Sequence, residues 1–193
     1  MPDTPTSKPT ELPDPTPGWL RIRIACIGDM DVITPMARDL EFSLRGENLS
    51  TFDECHARIR DAAFGPFPST QIFLMELPAE QSSTAGLAFI NRVFPGERHR
   101  HGIRINNLYV VPQYRDRLLP FYFGSWLIRH AIEKDYSRIV WNTPVSHRGE
   151  NMMYRAAGFD GEDQEMFRLT YDRFEATLSK VETMLSRLNT QAQ

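Results

Sequence analysis

The side chains that most often do acid–base or metal chemistry are few in this sequence and widely spaced. Its 193 residues include five histidines and two cysteines, Cys26 and Cys55. His99 and His101 alternate with two arginines, but no further ligand lies at a spacing that would complete a metal site, so an exposed basic loop is expected there. The sequence contains no GxSxG, no HExxH and no glycine-rich nucleotide loop. It therefore predicts no metal centre, no serine hydrolase of that type and no P-loop.

Two motifs in the second half of the chain are more informative. The first runs from Leu108 to Arg115 and reads LYVVPQYR; the second runs from Tyr154 to Phe159 and reads YRAAGF. Together they resemble the GNAT superfamily of acyl-CoA-dependent N-acetyltransferases, which pair an L-Y/F-V-x-P-x-Y-R strand with a later helix bearing a tyrosine four residues before Gly-Phe. The resemblance extends, more weakly, over the whole element order from Trp19 to Thr170.

The resemblance implies that acetyl-CoA binds as a co-substrate between two strands that splay apart, here residues 103–111 and 138–142. Backbone groups would polarise the thioester carbonyl, and the pyrophosphate would lie at the following turn and helix N-terminus. The implied cofactor-binding residues are Leu108, Tyr109, Val110, Arg115, Arg117 and Asn142. Tyr154 would be the catalytic residue, protonating the departing thiolate, since a phenol with a pKa of about 10 suits a thiol with a pKa of about 8.5.

The loop after this strand departs from the family's R/Q-x-x-G-x-G/A pattern. Leu118 and Pro120 stand at the two glycine positions. The leucine side chain lies where a phosphate should approach the backbone, and the proline lacks an N–H donor. Arg115 and Arg117 could compensate through charged side-chain contacts. A second register would use Gly124-Ser125 as the turn, but it would shorten the following helix to about three turns.

The sequence does not identify a general base. Many family members carry an acidic residue just before the L-Y-V strand, and Asn106 and Asn107 stand there in this chain. Neither amide can take a proton from an amine. Glu76, Glu97 and His101 are the alternatives.

Hydrophobic periodicity and capping signals predict the elements that must position this site. In chain order they are a strand over 19–27, a helix starting at Thr34-Pro35, a helix capped by Thr51-Phe52-Asp53-Glu54 and closed by Gly65-Pro66, strands over 71–77, 87–94 and 103–111, a helix over 120–136, a strand over 138–142, a helix over 146–157 ended by Gly158, a strand over 166–169 and a helix over 174–188. Strands in a meander followed by a helical crossover indicate an α/β fold, a GNAT-like mixed central sheet with helices on both faces.

The predicted domain organisation has three parts. Residues 1–18 hold six of the fourteen prolines and form a disordered tail, residues 19–170 form the GNAT-like domain, and residues 171–193 form an amphipathic C-terminal helix. The apolar stripe of that helix covers its own domain or forms the seam of a homodimer.

Composition narrows the function classes. The formal charge of −3 argues against a nucleic-acid partner, and no apolar run is long enough for a membrane span. Two distant cysteines and the lack of a secretory signal favour the cytoplasm. The sequence therefore predicts an N-acetyltransferase enzyme that transfers an acetyl or other acyl group from coenzyme A to an amine of a small molecule or protein. The alternatives are a catalytically degenerate binding or regulatory module of the same fold, and a scaffold assembled through the terminal helix.

Overall fold

The computed structural model of the chain describes residues 17–78, 80, 83–94, 99–143, 148–156 and 158. The strands are β1 (Arg21–Ile24), β2 (Gln71–Leu77), β3 (Ser83–Val93), β4 (Gly102–Val110) and β5 (Ile139–Val140). The helices are α1 (Met30–Arg45), α2 (Phe52–Phe64), α3 (Leu119–Glu133) and α4 (Arg148–Ala156), with short 3-10 helices at Ile27–Asp29 and Pro112–Arg117. The predicted strand over 166–169 and helix over 174–188 lie outside the described residues, as does the predicted tail up to residue 16. The chain divides into two compact units at Asn142/Thr143, so α4 is described by itself.

The five strands form one mixed sheet in the order β1-β2-β3-β4-β5. The first four pair antiparallel, and β5 runs parallel to β4. A parallel pair needs a crossover connection, and α3 lies in the chain between β4 and β5. The predicted mixed sheet is confirmed.

Both faces of the sheet are covered by helices. Successive side chains of a strand point to opposite faces, and β2 divides accordingly. Phe73 and Met75 pack in a core that includes α3, while Ile72 and Leu74 pack in a second core that includes α1. The prediction of helices on both faces is therefore also confirmed.

The predicted start of α1 is wrong. The helix begins at Met30 rather than at the Thr34-Pro35 pair, and Pro35 lies inside it. Thr34 is fully buried instead of capping the end. Since the proline lacks an N–H, the helix loses the bond to the carbonyl of Asp31; this bond belongs to the first turn, and both residues are exposed.

The other helices agree more closely with the sequence. Thr51 and Glu54 form the predicted capping box of α2, with the Glu54 N–H donating to Thr51 Oγ1 at 3.3 Å and the Thr51 N–H donating to the Glu54 carboxylate at 2.8 Å. Gly65 ends that helix, as predicted. Helix α3 continues through Gly124 and Ser125, so the second register, which used that pair as the turn before the helix, is wrong.

Candidate functional site

In the described part of the chain, one edge of β4, the open edge, is unpaired over more than half of its length. β4 pairs with β5 at only two positions, Ile103 with Ile139 and Arg104 with Val140. β5 then ends, whereas β4 continues to Val110. Among the described residues, no strand pairs with that edge of β4 beyond Arg104.

The hydrogen bonds of β4 show which backbone groups face the open edge. The Val111 N–H donates to the Ala85 carbonyl at 2.9 Å, on the β3 side. Because antiparallel backbone groups alternate between the two edges, Tyr109 also faces β3, and the N–H and C=O groups of Leu108 and Val110 face the open edge. The backbone groups that the resemblance implies for the acyl donor therefore lie on the edge of β4 that no described strand covers.

A β-bulge lies where the edge becomes open. Phe89 pairs with Asn107 and Ile90 with Ile105, which leaves Asn106 as the extra residue of β4. Its side-chain amide donates to the side-chain oxygen of Asn91 on β3. A bulge bends its strand and increases the local twist, so this one turns the last part of β4 relative to the first.

The turn between β4 and α3 takes a left-handed residue at Leu118. Its φ of 56° and ψ of 25° lie in the region that favours glycine, and its side chain is 57% exposed. Its carbonyl accepts hydrogen bonds from the N–H groups of Phe121 and Tyr122, at 3.0 and 3.3 Å. Pro120, in the first turn of α3, offers no N–H. This helix N-terminus is thus formed without one donor and with an energetically unfavourable backbone conformation.

The two arginines near this turn have different environments. Arg115 is exposed, and its Nε donates to the Val110 carbonyl at 3.3 Å, on the open edge. Arg117 forms a salt bridge with Glu80, between β2 and β3, and its guanidinium carbon lies 5.1 Å from the centre of the Tyr114 ring. Of these two arginines, Arg115 is the one that an anion can reach without first breaking an ion pair.

Tyr109 lies under α1, close to charges from two other elements. Its side chain is buried in the core that includes α1, and burial is the largest cause that raises the pKa of its phenol. The negative charge of Asp39 on α1 raises it further, while the positive charge of Arg115 opposes both. The phenol therefore stays protonated at neutral pH and can donate a hydrogen bond. No motif in the sequence singles out Asp39.

None of the predicted substitutes for the general base fits that role within the described residues. Burial alone would raise the pKa of Glu76, but its hydrogen bonds with Arg23 and Arg21, both at 2.7 Å, lower it instead. His101 precedes β4 and is seven residues from Leu108, about 23 Å along an extended strand. Glu97 lies outside the described residues.

Tyr154 and Asn142 complete the predicted site residues. Tyr154 lies in α4 and is partly buried, in the unit that begins at Thr143. Gly158 follows with a φ of 88°, and its N–H donates to the Arg155 carbonyl at 3.0 Å, as predicted for a left-handed helix end. Asn142 is exposed, two residues after β5.

A separate cavity of about 280 Å³ lies between the start of α1 and α2. Its lining residues are Ile27, Gly28, Met30, Asp31, His56 and Arg60. None of these belongs to β4 or α3. In the described part of the chain, no group of three or more His, Cys, Asp or Glu side chains could hold a metal ion. The described helices also include none that is both long and apolar enough to cross a membrane.

Comparison with known proteins finds the same fold in solved structures. No family model and no curated protein matches the sequence. An integron cassette protein from the mobile metagenome of V. cholerae aligns with a TM-score of 0.71 at 13% identity, over 83% of this chain and 98% of its own. A possible acetyltransferase from Clostridium difficile 630 has a TM-score of 0.67 at 13% identity, over 79% of this chain and 97% of its own. An aminoglycoside N-acetyltransferase solved in complex with CoA has a TM-score of 0.59 at 14% identity, over 81% and 98%.

These likenesses confirm the resemblance to the GNAT superfamily at the level of the fold. The chain has the α/β fold of acetyltransferases.

Proposed function

We propose that the chain is an N-acyltransferase that moves an acetyl or similar acyl group from coenzyme A to an amine. The observation that carries this proposal is the open edge of β4, where the backbone groups of Leu108 and Val110 are directed away from β3. The fold supports it, because one structure of the same fold was solved with CoA.

The open edge would serve the acyl donor as a row of fixed backbone dipoles. The extended chain of the donor lies along β4 and takes the place of the missing neighbouring strand. An N–H group at Leu108 or Val110 donates to the thioester oxygen, and this bond strengthens as negative charge develops there. Tyr109 contributes its backbone to β3 and its side chain to the core under α1, so it holds this part of β4 in position.

The transfer itself needs one nucleophile and two proton movements. The neutral amine nitrogen attacks the thioester carbon, a C–N bond forms, and the C–S bond breaks. The amine loses one proton, which passes to water, and the departing thiolate gains one. Tyr154 is the proposed donor of the second proton.

The phosphate end of the donor would depend on Arg115. Pro120 supplies no amide, Leu118 places an exposed side chain at the turn, and Arg117 is paired with Glu80. The guanidinium of Arg115 is exposed beside Val110, and a charge-assisted contact of this kind contributes roughly 1.5–3 kcal/mol. Acetyl-CoA is therefore expected to bind, but more weakly than with glycines in the turn.

The second candidate is a module of the same fold that does not catalyse transfer. The pairing of Arg117 with Glu80 and the proline in the first turn of α3 favour it, because both reduce the number of groups available to a pyrophosphate.

Calorimetry with acetyl-CoA, combined with an assay for released CoA thiol, separates the two candidates. We expect binding, and we expect Arg115→Ala to weaken it by about ten- to a hundredfold, on the rule of tenfold per 1.4 kcal/mol. Arg92→Ala, at an exposed arginine of β3, is the matched control and should leave affinity unchanged. A lack of binding at millimolar acetyl-CoA would exclude the acyltransferase function. Binding without thiol release across a broad panel of amines would favour the module.

We further propose a cytoplasmic protein that acts on a small-molecule or protein amine, without a nucleic-acid or membrane partner. Support comes from the net charge of −3 and from the wide separation of Cys26 and Cys55 in the sequence. We also propose that the chain is organised into a tail (residues 1–18), a GNAT-like domain (residues 19–170) and a C-terminal helix (residues 171–193). The apolar stripe of that helix is the proposed homodimer seam.

A further inference from the structure

The cavity between the start of α1 and α2 is separate from the backbone edge proposed for the acyl donor. Two of its lining residues, Ile27 and Gly28, follow β1, and β1 and β4 are three strand spacings apart in the sheet. At the usual spacing of neighbouring strands, this places the two strands about 14 Å from each other. The acyl transfer proposed at β4 therefore gives this cavity no role.

Side chains of opposite charge line the cavity from two helices. Asp31 lies in the first turn of α1, whereas His56 and Arg60 lie four residues apart in α2 and so share one face of that helix. Within the described residues, neither Asp31 nor Arg60 forms a salt bridge, while Asp29, just before α1, is held by Arg23. The two charged groups line one cavity without pairing, so a molecule in the cavity can contact both.

The rest of the lining suits a small molecule with an apolar part. Met30 is buried and Ile27 is 52% exposed, so apolar atoms lie beside the charged groups. The ring of His56 stacks on Phe52, with the ring centres 6.3 Å apart and 26° between the planes, which restricts the orientation of its N–H groups. The volume of about 280 Å³ is just below the range of about 300–1,000 Å³ that is usual for ligand pockets, so the ligand must be small.

The pair of opposite charges selects the class of ligand. A plain anion held by Arg60 would also lie near the carboxylate of Asp31, and a plain cation held by Asp31 would lie near the guanidinium. Each would cover one protein charge without pairing it, which is unfavourable. A zwitterion offers a carboxylate to one group and an ammonium to the other. The apolar atoms beside them favour an aliphatic remainder, because its burial removes apolar surface from water.

We propose that this cavity binds a small zwitterion, an α-amino acid with an aliphatic side chain. Arg60 and His56 hold the carboxylate, and Asp31 holds the ammonium. The aliphatic side chain contacts Ile27 and Met30. This inference goes beyond the proposed acyl transfer, because the ligand nitrogen is held protonated, without the lone pair that attacks a thioester, at a cavity that β4 does not line.

Calorimetry on the full chain, without acetyl-CoA, compares three probes that differ by one charged group. L-leucine carries both groups, 3-methylbutylamine lacks the carboxylate, and 4-methylpentanoate lacks the ammonium. We expect leucine to bind and each analogue to bind about tenfold more weakly or less, because each has lost one charge-assisted contact. If leucine does not bind up to millimolar concentrations, or binds no better than either analogue, the proposal is wrong. Since no acyl donor is present, this result does not depend on the proposed transfer.

Two variants assign the contacts. Arg60→Gln should lower the affinity for leucine to that of the wild type for 3-methylbutylamine, and Asp31→Asn should lower it to that for 4-methylpentanoate. The matched controls are Arg58→Gln and Asp53→Asn, at exposed residues of α2 that do not line the cavity, and both should leave leucine affinity unchanged.

Two outcomes of the variant series would contradict the proposal. Equal effects of a variant and its control would mean that leucine binds outside the cavity. Thiol release from acetyl-CoA that requires leucine and is lost in Asp31→Asn would mean that the cavity holds the acyl acceptor, and the separation of the two sites would be wrong.

Discussion

Replacing Leu118 by glycine should cost the protein less stability than the same replacement in a right-handed helix, because it relieves an unfavourable backbone conformation. The left-handed backbone of Leu118 has a φ of 56°, which costs a residue with a Cβ about 1–2 kcal/mol and costs glycine nothing. Glycine in turn loses about 0.5–1 kcal/mol through the greater freedom of the unfolded chain. The side chain is 57% exposed, so its removal also loses the burial of the remainder, which is worth about 1 kcal/mol. Both losses also occur at Leu44 of α1, which is 66% exposed, so Leu118→Gly should leave the free energy of unfolding about 1–2 kcal/mol higher than Leu44→Gly does, through relief of the left-handed backbone.

Urea unfolding followed by circular dichroism measures this difference directly. Leu44→Gly is the control, since Leu44 is 66% exposed in the right-handed helix α1, where glycine should destabilise by about 1 kcal/mol relative to a good helix former. The two identical substitutions should thus differ by about 1–2 kcal/mol. If Leu118→Gly lowers the free energy of unfolding as much as Leu44→Gly does, the left-handed strain is absent and the reasoning is wrong. The same variant should bind acetyl-CoA more tightly, most of all when combined with Pro120→Gly.

Three further predictions concern the acid, an ion pair and two glycines. Tyr154→Phe should leave acetyl-CoA affinity unchanged and slow thiol release, and an equal loss in both measurements would argue for a structural tyrosine. The hydrogen bond from Arg23 holds the pKa of Asp29 well below its usual range, so Asp29 stabilises the folded protein above about pH 4, and this stability should be lost as the pH falls. Asp29→Asn should therefore reduce the fall in the free energy of unfolding between neutral and acid pH, measured by urea unfolding. An unchanged pH dependence would contradict the ion pair. Gly86→Ala should destabilise the protein by about 1–3 kcal/mol, because the new Cβ would lie 2.6 Å from a backbone oxygen of β4. Gly124→Ala should instead stabilise α3 by about 0.5–1 kcal/mol, because no atom lies within 4 Å of its new Cβ. Thermal unfolding that shifts both variants in the same direction would refute this.

The sequence predicts best what is decided by neighbouring residues. The capping box of α2 and the glycine after α4 are local signals, and both lie where predicted. The start of α1 depends partly on a distant residue. Asp29 is held by the Cys26 N–H and by Arg23, and Arg23 is itself bound to Glu76 of β2, so the chain turns into the helix before the Thr34-Pro35 pair is reached.

In the candidate site too, features set by nearby residues were predictable and features set by distant residues were not. The position of Leu118 in the turn was predictable, because the motif before it fixes the count of residues. The pairing of Arg117 with Glu80 joins residues 37 positions apart, and no spacing rule indicates it. The charge of Asp39 near Tyr109 could not be predicted either, since helical periodicity indicates the buried face of α1 but not the strand on which that face packs. The bulge at Asn106 has no signature beyond two asparagines.

The unpaired edge of β4 has a consequence for how the protein behaves in concentrated solution. Apart from the Val110 carbonyl, which accepts a hydrogen bond from Arg115, the backbone groups on this edge pair with no described strand, so they form a template on which a strand of another molecule can add. Such addition is a common first step of aggregation. The bulge at Asn106 limits the danger, since it twists the edge away from a straight neighbour. A small molecule lying along Leu108 and Val110 would occupy the remaining template, so we expect acetyl-CoA to suppress self-association at high protein concentration even before any amine is present.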